Sequence, residues 1–193
     1  MHQKLMTALV GLTLSGAVLA ATPQVELKTT MGDIVLELDH DKAPKSVDNF
    51  LAYVKSGYYK NTIFHRVIDG FMIQGGGYDE KLKGKPTNKA IPLEASNGLH
   101  NVKYSLAMAR MGDPNSATSQ WFINVEDNAG LDAPGPDGSG GYAVFGKVIK
   151  GQETVDKIKA VLVDDKGMFQ NVPVVPVVVK SATILKTPIQ PKQ

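Results

Sequence analysis

Hydrophobic and polar positions follow two periods along this chain, and the switches between them mark its elements. Val25, Leu27 and Thr29 alternate with Glu26 and Lys28, and Ile34, Leu36 and Leu38 alternate with Val35 and Glu37. Period two on both sides of Met31-Gly32-Asp33 predicts a β-hairpin. Val47, Phe50, Leu51 and Val54 then fall at i, i+3, i+4 and i+7, one face of a helix. Pro44 suits its first turn, Asp48 complements the positive helix end, and Gly57 serves as its stop. Strand-like runs follow at 63–68, 71–75, 104–109, 121–124 and 142–148. A second helical pattern, Val155, Ile158 and Leu162, covers about 152–162. A last strand-like run, Val174 to Leu185, contains Pro176, a residue that belongs near a strand start or edge.

Many short strands with two isolated helices favour a β-barrel or sandwich over an alternating parallel sheet. Neither an internal repeat nor an interdomain linker interrupts the pattern. The loops 76–92, 111–119 and the Gly/Pro-rich 126–141 are long, and such loops in a compact domain are functional or mobile. The polar tail from Thr187 to Gln193 is expected to fray.

Residues 1–20 break this scheme. Lys4 precedes an apolar stretch from Leu5 to Leu19, and Val18-Leu19-Ala20 offers small side chains where a signal peptidase reads. That pattern predicts a secretory leader cut after Ala20, leaving 21–193 as a single exported domain. About 15 apolar residues fall short of the ~20 that span a bilayer.

Composition narrows the chemistry. The 193 residues are 42% hydrophobic and 21% charged, as in a folded soluble protein. A formal charge of +2 gives no electrostatic reason to expect nucleic acid. With no cysteine, zinc ribbons, thiolate nucleophiles and redox pairs drop out.

The candidate chemistry lies in three runs. Phe64-His65-Arg66-Val67-Ile68 leads through Gly70 to Phe71-Met72-Ile73-Gln74-Gly75-Gly76-Gly77. Alternation puts Arg66 and Ile68 on one strand face, and Met72 and Gln74 on one face of the next. In Ser119-Gln120-Trp121-Phe122-Ile123 it separates Gln120 and Phe122 from Trp121, which it sends to the core; Ala107-Met108-Ala109-Arg110 is the third run. Together these would form an apolar bowl with a guanidinium at its rim and amides beside it. Arginine stays charged and donates from a planar fork, so it polarises an acceptor but shuttles no proton. Taken singly, a strand arginine is more often solvated, and Phe71, Met72 and Phe122 are more often core. No serine or aspartate spacing makes a triad with His65. Asp39-His40-Asp41 and Asp164-Asp165 read as solvated turns, not as metal ligands. The glycine triplet lacks the Lys-Ser/Thr of a phosphate loop.

Five blocks occur in order: FHRVIDGFMIQGGG, PLEASNGLHN, SLAMAR, NSATSQWFINVEDNAGLD and GYAVFGKVIKG. Over 24–187 they make the chain resemble the cyclophilin-type peptidyl-prolyl cis-trans isomerases, most of all the exported bacterial members. The resemblance implies a mostly β fold, a closed eight-stranded antiparallel β-barrel capped by two helices. It implies catalysed rotation about X–Pro bonds, assisting protein folding; the leader alone points to exported proteins in the periplasm as clients. The family's catalytic arginine falls on Arg66, with Gln74 holding its fork. Substrate-binding positions fall on Phe71, Met72, Ala109, Arg110, Gln120, Phe122, Leu131 and Tyr142. His65 is expected to be structural, on the face opposite Arg66. No cofactor or metal is implied. The implied partners are proline-containing peptides and unfolded exported proteins, with no nucleic acid and no stable membrane association after leader cleavage. Many eukaryotic relatives carry a tryptophan where this chain has Gly130 and a histidine where it has Tyr142, so weakened cyclosporin A binding is expected. Trp121 stands where relatives usually have phenylalanine. Two rival readings remain open: a proline-peptide-binding module or chaperone using the same groove without catalysis, and a barrel carrying a small ligand, for which fold alone speaks.

Overall fold

The computed structural model describes residues 22–134 and 140–190. The leader 1–20 and its cleavage after Ala20 lie outside the described residues.

β1 (Gln24–Thr29) and β2 (Gly32–Leu38) form the expected hairpin, with Val25 opposite Leu36 and Leu27 opposite Ile34. All four are fully buried. α1 (Pro44–Lys55) buries Val47, Phe50, Tyr53 and Val54 on one face. Gly57 stops it by adopting φ +70°. That left-handed turn lets the Gly57 and Tyr58 amides reach the Val54 and Tyr53 carbonyls, both at 3.0 Å.

The start of α1 differs from expectation, because no acidic residue lies in its first turn. Glu94, far along the chain, accepts from the Lys45 amide at 3.0 Å, the Ser46 amide at 2.8 Å and the Ser46 hydroxyl at 2.7 Å. A carboxylate on these otherwise unpaired N–H groups does what the sequence assigns to Asp48. Asp48 sits beyond the first turn and pairs with His40 at 3.1 Å.

The remaining elements are β3 (Thr62–Ile63), β4 (Arg66–Ile68), β5 (Met72–Gly75), β6 (Ser105–Met108), β7 (Trp121–Asn124), β8 (Val144–Lys150), α2 (Gln152–Lys159), β9 (Val163–Lys166), β10 (Phe169–Pro173) and β11 (Val178–Ile184). Nine strands make one antiparallel sheet in the order β3-β11-β1-β2-β8-β6-β7-β5-β4. Only Phe64 and His65 separate its two edge strands along the chain. The sheet therefore curls strongly, and it forms a half-barrel flanked by the helices. The main sheet has nine strands where eight are expected. The extra strand arises because 62–68 switches partners: the Phe64 amide bonds Val177 O while the His65 amide bonds Gln74 O, each at 3.0 Å. One run becomes two short strands at opposite edges.

Trp121 is fully buried, as alternation requires. It meets Phe64 edge-on at 5.5 Å and Phe50 at 6.2 Å. The glycine triplet serves this packing. Gly76 has φ +85°, and a Cβ there would lie 2.7 Å from Ser119 O and from Trp121 Nε1.

Residues 163–173 form a two-stranded ribbon, β9 against β10, where the sequence reads a solvated turn at Asp164-Asp165. Val163–Lys166 is exposed or half-buried throughout, so no alternation announces it. Phe169 anchors the ribbon by packing edge-on against Tyr78 at 5.0 Å. The tail is also held where fraying is expected: Ile189 is bracketed by the Gln24 side chain at 2.7 and 2.9 Å.

Candidate active site

Antiparallel register carries one row of side chains across five strands. Arg66 lies opposite Gln74, Gln74 opposite Phe122, Phe122 opposite Ala107, and Ala107 opposite Val144. Directly paired residues share a face. The alternating positions Val67, Ile73, Ile123 and Leu106 turn into the main core and are buried there.

On the outer face Met72, Ala107, Phe122 and Val144 form a buried cluster separate from that core. Phe71, Ala109, Leu131 and Tyr142 pack against it, together with Ile68 and Leu99. Six expected binding residues thus converge on one apolar cup. The sequence reading carries Ile68 and Ala107 in the runs of the bowl without naming them as binding residues, and omits Val144 and Leu99. Ala107 is two residues from Ala109 and Val144 two from Tyr142, so the same alternation signals both. Leu99 sits in an aperiodic loop and carries no such signal.

Arg66 stands half-buried beside this cup. Gln74 does not hold its fork: the Gln74 amide donates to Gln120 Oε1 at 2.9 Å. The cause is the glycine triplet. A Cβ on Gly77 would lie 2.7 Å from Gln120 Cγ, so the bare backbone leaves the space that Gln120 fills. Among the described residues the guanidinium has no hydrogen bond or ion pair, and Arg66 lines a surface hollow.

Arg110 occupies another part of the rim. Its Nε donates to Gly141 O at 2.8 Å and its Nη1 to Met111 O at 2.9 Å. Its guanidinium lies 4.8 Å from the Tyr142 ring centre, and that ring meets Phe122 edge-on at 5.7 Å. Arg110 therefore buttresses the aromatic wall.

His65 is buried and packs against Tyr78 at 4.7 Å. Burial first, and the Arg66 charge second, lower its pKa to about 4 against a weaker opposing bond to Gln120. It is neutral near pH 7 and unsuited to proton transfer. Its placement differs from expectation: β4 begins only at Arg66, so alternation does not reach His65. His65 lines the same hollow as Arg66 and Gln120.

Beneath the cup lies a polar lattice that the sequence does not reveal. Buried Asn124 donates to Asn101 Oδ1 at 3.1 Å and Ser105 Oγ at 2.8 Å. Asn128 donates to Asn124 Oδ1 at 2.7 Å and to Phe71 O at 2.8 Å. Asp132 accepts from the Asn101 amide at 2.7 Å, the Asn101 side chain at 2.9 Å and His100 at 2.8 Å. Burial alone would raise the Asp132 pKa, but these bonds outweigh it and hold the carboxyl below its usual range. The lattice ties Phe71, Leu99 and Leu131 together through neighbouring backbone.

A larger hollow of about 740 Å³ lies on the far side of Leu99 and Val144, bordered by Glu37, Asp39 and Lys147. It contains neither Arg66 nor the glutamines, so volume does not choose the site.

The site is an apolar cup beside a cation that has no hydrogen bond or ion pair among the described residues, with strands beneath it and loops at its rim. Comparison with known proteins makes the class definite. Residues 24–184 match the family described as cyclophilin type peptidyl-prolyl cis-trans isomerase/CLD. A peptidyl-prolyl cis-trans isomerase of Acinetobacter baylyi is 53% identical, over 95% of this chain and 96% of its own. Peptidyl-prolyl cis-trans isomerase A of Dickeya dadantii is 50% identical, over 96% of this chain and 100% of its own. A Cryptosporidium parvum cyclophilin type isomerase, solved in the presence of the dipeptide Ala-Pro, superposes with a TM-score of 0.73 at 33% identity, covering 85% of this chain and 99% of that one. The chain belongs to the cyclophilin-type peptidyl-prolyl cis-trans isomerases, and its activity is rotation about X–Pro bonds.

Proposed function

We propose that Arg66 is the catalytic donor of this isomerase and that the cup seats the proline ring. The carrying observation is the half-buried Arg66 guanidinium, unpaired among the described residues, in the same row as Phe122. An X–Pro amide rotates over a barrier of ~18–20 kcal/mol and exchanges spontaneously in tens to hundreds of seconds. Twisting the bond removes its double-bond character and gives the proline nitrogen a lone pair. A fixed donor near that nitrogen favours the twisted state over both planar ones, and each 1.36 kcal/mol of that preference speeds exchange tenfold. Phe71, Met72, Phe122 and Leu131 grip the ring while the acyl group turns. Gln120, braced by Gln74, anchors the chain beside it, along with Ala109 and backbone near Arg110. No proton moves, consistent with a neutral His65.

Arg66→Lys separates fork from charge. This variant is expected to lose at least about tenfold in turnover, because one ammonium cannot reproduce the planar donor geometry. Turnover equal to the original protein would remove the fork from the mechanism.

The leader pattern supports export to the periplasm after cleavage behind Ala20, with unfolded exported chains as clients. Among the described residues no helix is long and apolar enough to cross a membrane. The backbone bonds of Phe64 and His65 to opposite edges support reading the curled sheet as a closed barrel. At Gly130 a Cβ would meet nothing within 4 Å. That open space at Gly130 supports weakened cyclosporin A binding, since many relatives place a tryptophan ring there.

A further inference from the structure

Arg66 borders a second hollow besides the proline cup. It measures about 290 Å³, and His65, Gln74, Gln120 and Tyr78 form its inner side. Its outer lip is the tip of the β9–β10 ribbon, Met168, Phe169 and Gln170.

Strand direction orders the two hollows. Along β5 the chain runs from Met72 in the cup to Gln74 beside Arg66, and on to Tyr78 at the second hollow. Along the approach to β7 it runs back from Gln120 at that hollow to Phe122 in the cup. A peptide with its proline in the cup and its X–Pro bond at Arg66 continues into this space. Successive Cα atoms are 3.80 Å apart, so a residue flanking the proline reaches it.

The hollow's inner side is largely polar, and Met168 and Phe169 supply the apolar part of its lip beside Gln170. Met168 is 89% exposed, a large thioether that folding leaves in solvent at the border of the hollow. Behind it Phe169 packs on Tyr78 at 5.0 Å and Tyr78 on His65 at 4.7 Å, so a fixed aromatic stack supports a flexible tip. Methionine is unbranched and polarizable, and adapts to differently shaped apolar partners. Such a lip suits an enzyme that meets many sequences around proline.

We infer that the hollow between Arg66 and the β9–β10 ribbon is a substrate subsite for a large apolar side chain flanking the proline, with Met168 as its specificity-determining residue. This rests on the assignment of Arg66 to the reacting bond.

The test is exchange NMR with three peptides: one with alanine on both sides of proline, one with leucine before it, and one with leucine after it. Each is measured with the protein and with Met168→Ala, Met168→Glu, Leu162→Ala and Arg66→Ala. The expected result is that one leucine peptide is preferred over the alanine peptide, and that Met168→Ala lowers that preference roughly three- to tenfold. Met168→Glu lowers it further by setting a charge against the apolar side chain. Leu162→Ala, also exposed but outside the hollow, leaves the ratio in place. The two leucine peptides tell which side of the proline enters. Ratios unmoved by both Met168 variants on both peptides would overturn the subsite. Exchange of the alanine peptide surviving in Arg66→Ala would instead overturn the assignment of Arg66.

Discussion

Asn124→Ala is the sharpest probe of how the groove is held. Asn124 is fully buried and lies opposite Met72 in the β5–β7 register, with its amide engaged in the lattice beneath the cup. Removing its amide leaves Asn101 Oδ1 and Ser105 Oγ without their donor, and both residues are buried. Asn128 loses one bond and keeps the one to Phe71 O. An unsatisfied buried polar group costs about 1–3 kcal/mol, so two of them place the destabilisation near 4 kcal/mol. For a domain of this size that lowers the melting temperature by about 8–16 °C, leaving a folded protein at 25 °C. Function should change too, because the lattice fixes the backbone beside Phe71, Leu99 and Leu131. Proline-peptide affinity, followed by chemical-shift titration, is expected to fall roughly three- to tenfold, with less effect on the exchange rate of the bound peptide. A melting temperature within about 2 °C of the original would refute the reasoning from unsatisfied groups. A large thermal loss with unchanged peptide affinity would refute the claim that the lattice positions the cup.

Other outcomes follow from single residues. His65 binds its proton at about pH 4 in the fold against 6.5 ordinarily, so its contribution to stability is complete above about pH 6.5. That contribution is lost as the pH falls toward 4 and amounts to on the order of 3 kcal/mol. His65→Phe, which keeps a ring against Tyr78 but cannot titrate, should show a smaller drop in urea midpoint between about pH 7 and 4.5. An equal drop in both proteins would show that other groups carry the acid sensitivity. Gly130→Trp should tighten cyclosporin A binding by tenfold or more in a calorimetric titration; unchanged affinity would mean that the open rim at Gly130 is not what weakens it.

The parts of this molecule legible in its sequence are those that a period can encode. The β1–β2 hairpin and α1 show clean apolar repeats, because each sets one apolar face against the main core. The row from Arg66 to Phe122 is legible for the same reason, since alternation on β4, β5 and β7 decides which side chains face outward together. What escapes depends on partners distant in sequence. Glu94 caps α1 from a loop with no pattern of its own. Asn101, Asn124 and Asn128 look like ordinary polar residues until the fold brings their amides together. The β9–β10 ribbon lies on the surface, where both faces tolerate polar side chains and no alternation is imposed. The bond from Gln74 to Gln120 also escapes, because the space left by Gly77 is invisible until β5 and β7 are side by side.

The most direct test of the central claim is the cis–trans exchange rate of a short Ala–Pro peptide, read by NMR with the protein and with Arg66→Ala. Rapid exchange is expected with the protein and a loss of about 10²–10³-fold in the variant, with the circular dichroism spectrum unchanged. Exchange in a folded Arg66→Ala protein as fast as in the original would contradict a catalytic role for this guanidinium.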